Sequence, residues 1–482
     1  MLSPAELQAR FALAARMRAS LRNELLAPWY PRAVDRDSGG FLSQFDYRWQ
    51  PTGAQEKMIV TQARHVWTNA RAAQFFPGDS TFRPSAAHGF RFLRDRMWDH
   101  EQGGFYWLVS RGGVPKEDEP GRKVKQAYGN AFGIFALAAY YDVSRDDEAL
   151  RLAQDAFYWL DAHAHDARYT GYFNYMERAG TPLRAGYHGD PPKDQNSSIH
   201  ILEAFTELYR VWPDPLLRDR LREMLVLIRD RIRIDPGYLT LFASADWTPV
   251  SYRDSAAAVR EQHHYHDHVS FGHDIETAYL MLEASSALGM RGDTTTERLA
   301  KQMVDHALRN GWDASVGGFY DEGYYFADRT GLTITRDSKN WWAQAEGLNT
   351  LLLMADRYPH DPLDYAAKFR MQWSYIDHYL IDHEHGGWYQ GGLDKEPAQR
   401  TALKGQIWKA AYHDGRALMN VIRRLEATGA RNGARRTAHG ATANAVQRTA
   451  RRGRPLPNGG AAPRSGAASP PTSRRAAGRR VP

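Results

Sequence analysis

The chain of 482 residues contains no cysteine, which excludes disulfides, thiolate metal sites, iron–sulfur clusters and cysteine nucleophiles. It also lacks any apolar run of the roughly 18–20 residues that a bilayer-spanning helix needs. The N-terminal stretch carries charges at helical spacing and has no uninterrupted apolar segment, which is not typical of a secretory signal. We therefore expect a cytoplasmic protein that makes no use of a membrane.

Acidic residues are absent from the C-terminal segment, 429–482, which holds 12 Arg and no Lys. This segment is rich in Ala, Gly, Pro and Ser, so it cannot bury enough apolar surface to offset its chain entropy. The sequence predicts a folded domain over 1–428 and a disordered basic tail over 429–482. Because the folded part carries 51 basic and 56 acidic residues, we expect no specific nucleic-acid partner.

Familiar motifs of cofactor and metal enzymes are also missing: we find no Walker loop, dinucleotide-binding glycine motif, GxSxG elbow or HExxH. One stretch, His263-His264-Tyr265-His266-Asp267-His268, resembles a metal site. We place it in a loop before a helix, so its histidines would lack the fixed i, i+4 ligand geometry that a helix provides. The sequence therefore predicts neither a metal nor a cofactor.

What the chain does contain is a coarse repeat. Six times an Asp is followed within a few residues by Gly and an aromatic residue, and the aromatic positions are 64, 67, 66, 81 and 69 residues apart. The six turns begin at Asp37, Asp99, Asp166, Asp235, Asp313 and Asp382. Such turns predict tight connections into short extended segments, and a period of about 65–70 residues holds two helices.

Apolar residues recur at helical spacing in twelve segments. We predict helices at 4–26, 57–76, 84–97, 126–142, 147–164, 195–211, 214–232, 269–289, 295–309, 340–357, 362–379 and 406–427. Twelve helices in six pairs favour an all-α (α/α)6 barrel with six inner and six outer helices. The alternative is an open superhelix, which would need atypical capping repeats at both ends.

Polar residues interrupt every second helix near its start, with spacings of 64, 72, 73, 69 and 71 residues. They are Arg64, Tyr128, His200, His273, Trp342 and His413. In a closed ring, equivalent positions on successive inner helices meet at one end of the central cavity, and Asn196, Glu276 and Glu346 share their helix faces. Each residue alone is typical of a structural role, but the shared period favours one pocket suited to proton transfer on a sugar.

Several motifs resemble the N-acylglucosamine 2-epimerase superfamily, and cellobiose 2-epimerases in particular, over nearly all of 5–425. The blocks that carry the resemblance are Ala63-Arg-His-Val-Trp-Thr68, Ala127-Tyr-Gly-Asn-Ala-Phe132, Asn196-Ser-Ser-Ile-His-Ile-Leu-Glu-Ala204, Ser270-Phe-Gly-His-Asp-Ile-Glu276, Trp341-Trp-Ala-Gln-Ala-Glu346 and Trp408-Lys-Ala-Ala-Tyr-His-Asp-Gly-Arg-Ala417. The resemblance implies an (α/α)6 barrel and isomerisation at C2 of a reducing sugar without metal or cofactor.

The resemblance also implies roles for individual residues. His273 and His413 correspond to the acid/base pair, His200 to a third pocket histidine, Arg64 to the cation that stabilises the enediolate, and Glu276 and Glu346 to orienting partners. The implied sugar contacts are Tyr128, Asn196, Trp342, Trp408 and Tyr279. Tyr279 stands where cellobiose-acting members usually have Trp, and the segment 247–268 is longer than theirs, so both differences fall where a second sugar would bind.

The chemistry leaves alternatives open. A proton returned to C2 of the enediolate gives the epimer, whereas one returned to C1 gives a ketose, so an aldose–ketose isomerase is the alternative. The substrate is expected to have a glucose/mannose-type reducing end, as a monosaccharide or a β-1,4-linked disaccharide such as cellobiose, and the protein to be a monomer or homodimer. The rivals are a glycoside hydrolase using Glu276 and Glu346 and a sugar-binding scaffold without turnover.

Overall fold

A computed structural model describes residues 3–427, so the predicted tail over 429–482 lies outside the described residues. We number the helices of eight or more residues in this range from α1 to α13. They are α1 Pro4–Ala19, α2 Ile59–Phe75, α3 Phe82–Phe92, α4 Ala127–Ser144, α5 Asp147–Ala164, α6 Gln195–Val211, α7 Pro215–Leu227, α8 Ala257–Asp267, α9 Phe271–Ala287, α10 Thr294–Asn310, α11 Trp341–Arg357, α12 Tyr365–Tyr375 and α13 413–427.

Burial separates two classes of helix. Nearly every residue of α2, α4, α6, α9 and α11 is buried, as is the first half of α13, whereas α1, α3, α5, α7, α10 and α12 bury one face and expose the other. A helix that is buried all round belongs to the interior, and an amphipathic one covers it. Four of the outer helices continue into a wider π-helical turn: Ser20–Leu26, Leu93–Met97, Ile228–Ile232 and Ile376–Leu380.

The ring of inner helices is closed. Each inner helix from α2 to α11 packs against the next one. The two ends of the described chain also meet, because Arg18 pairs with Glu426 at 2.8 Å and the Thr68 hydroxyl donates to the Ala411 carbonyl at 3.0 Å. The predicted (α/α)6 barrel is therefore confirmed, and the open superhelix is wrong.

Short antiparallel strands lie where the inner helices begin, and all but the Arg233–Ile234 hairpin join neighbouring repeats. The pairs are Lys57–Met58 with Leu108–Val109, Val124–Gln126 with Tyr175–Glu177, Lys193–Asp194 with Phe242–Ala243, Arg233–Ile234 with Tyr238–Leu239, and the three-stranded set Val269–Ser270, Glu322–Tyr324 and Thr333–Arg336. They build a rim at one end of the barrel, and this rim holds the inner-helix starts in place.

The predicted Asp–Gly–aromatic turns are hairpins, but the first begins two residues earlier than expected. Asp35 donates its N–H to the Gly40 carbonyl at 3.0 Å, just as Asp99 does to Gly104 at 2.9 Å. The Asp37 side chain is 85% exposed and does not hold the turn. Asp35 and Gly39 are four residues apart, which is the spacing of Asp99 and Gly103, so Asp35 occupies the repeat position.

Each of five turns holds a buried lysine that the sequence reading missed. The pairs are Lys57–Asp35, Lys125–Asp99, Lys193–Asp166, Lys339–Asp313 and Lys404–Asp382, with Nζ–Oδ distances between 2.6 and 2.9 Å. Four of these lysines stand two residues before an inner helix, so every pair ties an Asp turn to the rim. The remaining repeat has Val269 at that position.

Replacing Lys193 by Met is expected to destabilise the fold by about 3–5 kcal/mol, because it leaves the buried Asp166 carboxylate without its cation. The matched control is Arg94→Met, which removes the partner of the half-exposed Glu148 and is expected to change the free energy of unfolding by less than about 1 kcal/mol. Urea unfolding of both variants measures the difference. Equal stabilities would show that the buried pair contributes little.

Helix α8 corrects the predicted loop around 263–268. Residues 263–267 lie on this helix, and only His268 follows it. Its sequence has no apolar stripe, and its buried residues are His266 and Asp267. The Asp267 carboxylate accepts from the Tyr252 N–H at 2.6 Å and from the Tyr324 hydroxyl at 2.9 Å. The extra helix explains the aromatic spacing of 81 residues in this repeat.

The last inner helix begins later than predicted. Residues 406–412 form turns, and the helix starts at 413. The Lys409 side chain is buried and donates to the Trp388 carbonyl at 2.5 Å, which holds this segment against the sixth Asp turn. Trp408 is therefore on a loop, with 43% of its surface exposed. Over residues 3–427, no helix has the length and apolar character needed to cross a membrane.

Candidate active site

A cavity of about 400 Å³ opens at the end of the barrel where the inner helices begin. Five of the residues expected in the pocket line it: Tyr128, Asn196, His273, Trp342 and Trp408. Four of them lie in the first two turns of α4, α6, α9 and α11, and the fifth lies on the loop before α13. The rim strands hold these starts together, which is why residues so distant in sequence share one cavity.

Arg64 lies directly behind the wall of this cavity. Its Nη1 donates to the Trp408 carbonyl at 2.7 Å, and its Nη2 donates to the Tyr128 hydroxyl at 3.2 Å. The guanidinium also stacks 4.7 Å from the centre of the Phe132 ring. Two cavity-lining residues thus hold a buried cation in a fixed orientation.

The rings of His273 and His413 both lie close to the ring of Trp342. The Trp342 ring centre is 4.7 Å from that of His273 and 5.8 Å from that of His413. The two histidines have different partners, since Nδ1 of His413 donates to Glu346 Oε1 at 2.8 Å and Nδ1 of His273 lies 2.8 Å from the Ser270 hydroxyl. A carboxylate behind Nδ1 fixes the tautomer in which Nε2 of His413 carries the lone pair.

His200 has the same arrangement as His413. Its Nδ1 donates to Glu203 Oε2 at 2.8 Å, and its ring centre lies 5.3 Å from that of Tyr128. Glu203 follows His200 by three residues on α6, just as Glu276 follows His273 on α9. The structure therefore brings all six in-register residues to one end of the barrel.

Burial controls the protonation of this group. It lowers the pKa of His273 to about 3 and holds the pKa values of His200 and His413 well below the ordinary value, with Arg64 adding to the effect on the latter two. Burial thus favours the neutral form of these histidines, which can accept a proton. Burial raises the pKa of Glu276 to about 8 and, together with the Glu276 charge, raises that of Glu346 well above its usual range. The Arg416 guanidinium, which donates to both side chains, opposes this effect and favours their charged forms.

Tyr279 is the one predicted sugar contact that lies elsewhere, which corrects the expectation. Six residues beyond His273 on a helix is roughly 9 Å along the axis, which moves the ring away from the rim. Its hydroxyl accepts from Asn420 Nδ2 at 3.0 Å. Both residues line a second cavity of about 330 Å³ on the far side of the buried carboxylates.

The sequence of this chain matches a known protein family. The model of the family described as N-acylglucosamine 2-epimerase (GlcNAc 2-epimerase) matches residues 39–415. The chain belongs to the N-acylglucosamine 2-epimerase family. The resemblance drawn from the motifs is confirmed, and the chain is an isomerase-class enzyme, a sugar epimerase/isomerase acting at C2.

Individual relatives cover nearly the whole barrel. The cellobiose 2-epimerase of Bacteroides fragilis is 27% identical over 415 residues, which are 84% of this chain and 97% of that protein. The solved cellobiose 2-epimerase of Spirochaeta thermophila has a TM-score of 0.73 at 28% identity, covering 88% of this chain and 98% of that one. A D-mannose isomerase, at 21% identity and a TM-score of 0.68 over 87% and 98% of the two chains, has the same fold.

One set of potential metal ligands occurs in the described part of this family member: Glu276, Glu346 and His413 offer atoms within 4.8 Å of one another. The Arg416 guanidinium already donates to both carboxylates, at 2.5 and 2.7 Å. A cation at this position would have to compete with that fixed positive charge.

Exhaustive chelation is therefore expected to leave the epimerase activity unchanged, because histidine and arginine side chains supply the acid, base and cation that the reaction needs. Turnover before and after dialysis against a chelator, with metal analysis of the same samples, measures the effect. A loss restored by one particular divalent ion would contradict the expectation.

Sequence reasoning assigned no role to Glu203 and Arg416, although both lie in the motifs that carry the family resemblance. Each stands three residues after a pocket histidine, His200 and His413 respectively. Glu276 was predicted because it follows His273 by three residues. The same i, i+3 rule, applied to His200 and His413, would also have identified Glu203 and Arg416.

Proposed function

We propose that this enzyme epimerises a reducing sugar at C2 through an enediolate, with His413 and His273 exchanging the C2 proton. The observation that carries the proposal is the pair of histidines whose rings both lie close to that of Trp342, one backed by a carboxylate and the other by a hydroxyl. Two histidines on different sides of C2 permit inversion: the neutral one removes the proton, the protonated one returns a proton to the opposite face, and exchange with solvent restores the starting protonation states.

The hydrogen-bond partners of the two histidines support different roles for them as base and acid. The Glu346 carboxylate stabilises the imidazolium that forms when Nε2 of His413 takes a proton, which makes His413 the stronger base. His273 has only the Ser270 hydroxyl and gives up a proton more readily. Arg64, held at the wall by Trp408 and Tyr128, supplies positive charge for the enediolate oxygen in a largely buried site.

The cavity mouth supports a substrate with a second sugar. Trp107 and Trp408 lie there with ring centres 5.8 Å apart, and Tyr265 on α8, 61% exposed, lines the cavity as well. Aromatic faces of this kind pack on sugar rings. With relatives named cellobiose 2-epimerase, we infer a glucose/mannose-type reducing end that is bound as a β-1,4-linked disaccharide such as cellobiose or as the free monosaccharide.

The positions of Glu276 and Glu346 do not suit the alternative function, a glycoside hydrolase. Its two carboxylates would need to flank a glycosidic bond with carboxyl groups roughly 5–9.5 Å apart. Glu276 and Glu346 instead share the Arg416 guanidinium and have oxygens within 4.8 Å of the same His413 nitrogen. Glu346 also accepts from Nδ1 of His413, so these carboxylates are better suited to orienting the histidine than to flanking a glycosidic bond.

A panel of reducing sugars followed by NMR tests the proposal: glucose, mannose, cellobiose, mannobiose and N-acetylglucosamine. We expect one or more of them to yield its C2 epimer, and none to be cleaved. Ketose signals would indicate the aldose–ketose isomerase instead. Release of monosaccharides from a disaccharide, or binding of every sugar without turnover, would contradict the proposed function.

The expected surroundings of the enzyme remain predictions: a cytoplasmic location, a small reducing sugar as the partner, and a monomer or homodimer without a nucleic-acid partner. Gel filtration with light scattering on the full chain measures the oligomeric state.

A further inference from the structure

We propose that Arg416 is a positioning residue that holds two pocket histidines at once, by binding the carboxylate behind each of them. The inference rests on the proposed function. Arg416 lies on α13, one turn after His413, and only 3% of its surface is exposed. A guanidinium is planar, always charged and rigid, so it fixes several acceptors in one geometry.

The hydrogen bonds run from one guanidinium to both histidines. Nη2 donates to Glu346 Oε1 at 2.7 Å, and that same oxygen accepts from Nδ1 of His413. Nη1 donates to Glu203 Oε1, while Glu203 Oε2 accepts from Nδ1 of His200. One cation therefore fixes the carboxylates on α6 and α11 that set the tautomers of two histidines on different helices.

A third carboxylate and a hydroxyl complete the cluster. Nη2 also donates to Glu276 Oε1 at 2.5 Å, and Nη1 donates to the Tyr412 hydroxyl at 2.6 Å. The charged and titratable groups around Arg416 are Glu203 on α6, Glu276 and Tyr279 on α9, Glu346 on α11, Tyr412 and His413 beside α13, and Arg64 on α2. Three carboxylates thus converge on a single guanidinium.

The position of Arg416 separates its role from that of a substrate contact. It does not line the catalytic cavity but lines the second one, at the opposite side of the carboxylates. Its removal frees the carboxylates to rotate, and the histidines lose the acceptor that keeps Nδ1 protonated and Nε2 available. Such misplacement of a reacting group lowers kcat, whereas sugar affinity depends on residues that Arg416 does not touch.

The test compares Arg416→Lys and Arg416→Gln with Arg71→Lys. Arg71 is a suitable control because its side chain is only 14% exposed and is paired with Glu207 and Asp142 without contacting a pocket histidine. Because a misplaced catalytic group loses up to about 10²-fold, we expect Arg416→Lys to lower kcat by that order with little change in KM. Loss of the positive charge in Arg416→Gln favours protonated neighbours, so the acidic limb of the kcat/KM profile moves to higher pH.

A second measurement does not depend on turnover. In protein labelled with heavy nitrogen at histidine, the imidazole nitrogen shifts report the tautomers of His413 and His200, assigned with the His413→Asn and His200→Asn variants. We expect fixed Nδ1–H tautomers in the wild type and in Arg71→Lys, and mixed tautomers in Arg416→Lys. If the enzyme shows no epimerisation but the histidine tautomers still change in Arg416→Lys, the proposed function is wrong while the positioning of the histidines by Arg416 stands.

Two results would overturn the proposal. One is an Arg416→Lys enzyme with the wild-type kcat, pH profile and tautomers. The other is a loss of activity in Arg416→Gln that matches its loss of folded protein, with an unmoved pH profile. If Arg416→Gln does not fold, Glu203→Gln provides the same test on the His200 side, because it keeps the shape of the side chain but removes one carboxylate from the cluster.

Discussion

Replacing His413 by Asn is expected to lower kcat by roughly 10²–10⁴-fold, the contribution typical of a positioned general acid or base. Asn keeps much of the volume and one hydrogen bond to Glu346 but has no group that titrates. The same change at His273 is expected to have an effect of similar order, because inversion needs a base on each side of C2. Sugar affinity should be largely kept in both variants.

Steady-state kinetics and sugar binding on both variants measure this, with His306→Asn as the control. His306 is also a buried histidine, but it lies on the outer helix α10, pairs with the Tyr325 hydroxyl at 2.8 Å and does not line the cavity. Its replacement is expected to change stability and to leave kcat intact. Near-wild-type turnover in both pocket variants would mean that the in-register histidines are structural, and Glu276 and Glu346 would then become the leading candidates.

Replacing Arg64 by Gln is expected to lower kcat by about 10²–10³-fold, the loss seen when a preorganised donor to a developing oxyanion is removed. The guanidinium is already oriented by the Trp408 carbonyl and the Tyr128 hydroxyl, so it needs no reorganisation as charge forms on the sugar. Gln retains a donor but no positive charge, which isolates the contribution of the charge.

Tyr128→Phe serves as the companion variant, because it removes one of the two groups that orient Arg64 and leaves the cation in place. We expect a smaller loss of kcat in this variant than in Arg64→Gln. Comparable kcat values for Arg64→Gln and the wild type would contradict the assignment, since an uncompensated enediolate should form far more slowly.

Much of the architecture could be predicted because its signals repeat. The inner helices are apolar throughout, and the polar residues near their starts share the period of the Asp turns, so a closed ring places them together. The helices Asp147–Ala164 and Gln195–Val211 have the predicted bounds. His200 and Trp342 were placed correctly at one end of the barrel by spacing alone.

The features that were missed depend on contacts distant in sequence. Helix α8 has no apolar face, and it is held by Asp267 through partners 15 and 57 residues away. In the sequence Lys193 is typical of a surface residue, and only the fold shows that the turn around Asp166 buries it. Arg416 follows His413 by one turn, but its hydrogen-bond partners are three carboxylates on other helices. No local sequence pattern reveals these contacts.

Turnover in D2O tests the central claim most directly, because it asks where the C2 hydrogen of the product comes from. A base that removes a proton, and an acid that returns one after exchange with solvent, place deuterium at C2 of the epimerised sugar. We therefore predict product with deuterium at C2, detected by NMR and mass spectrometry. Epimerised product formed without any solvent deuterium at C2 would contradict the enediolate account and point to hydride transfer or to redox chemistry at another carbon.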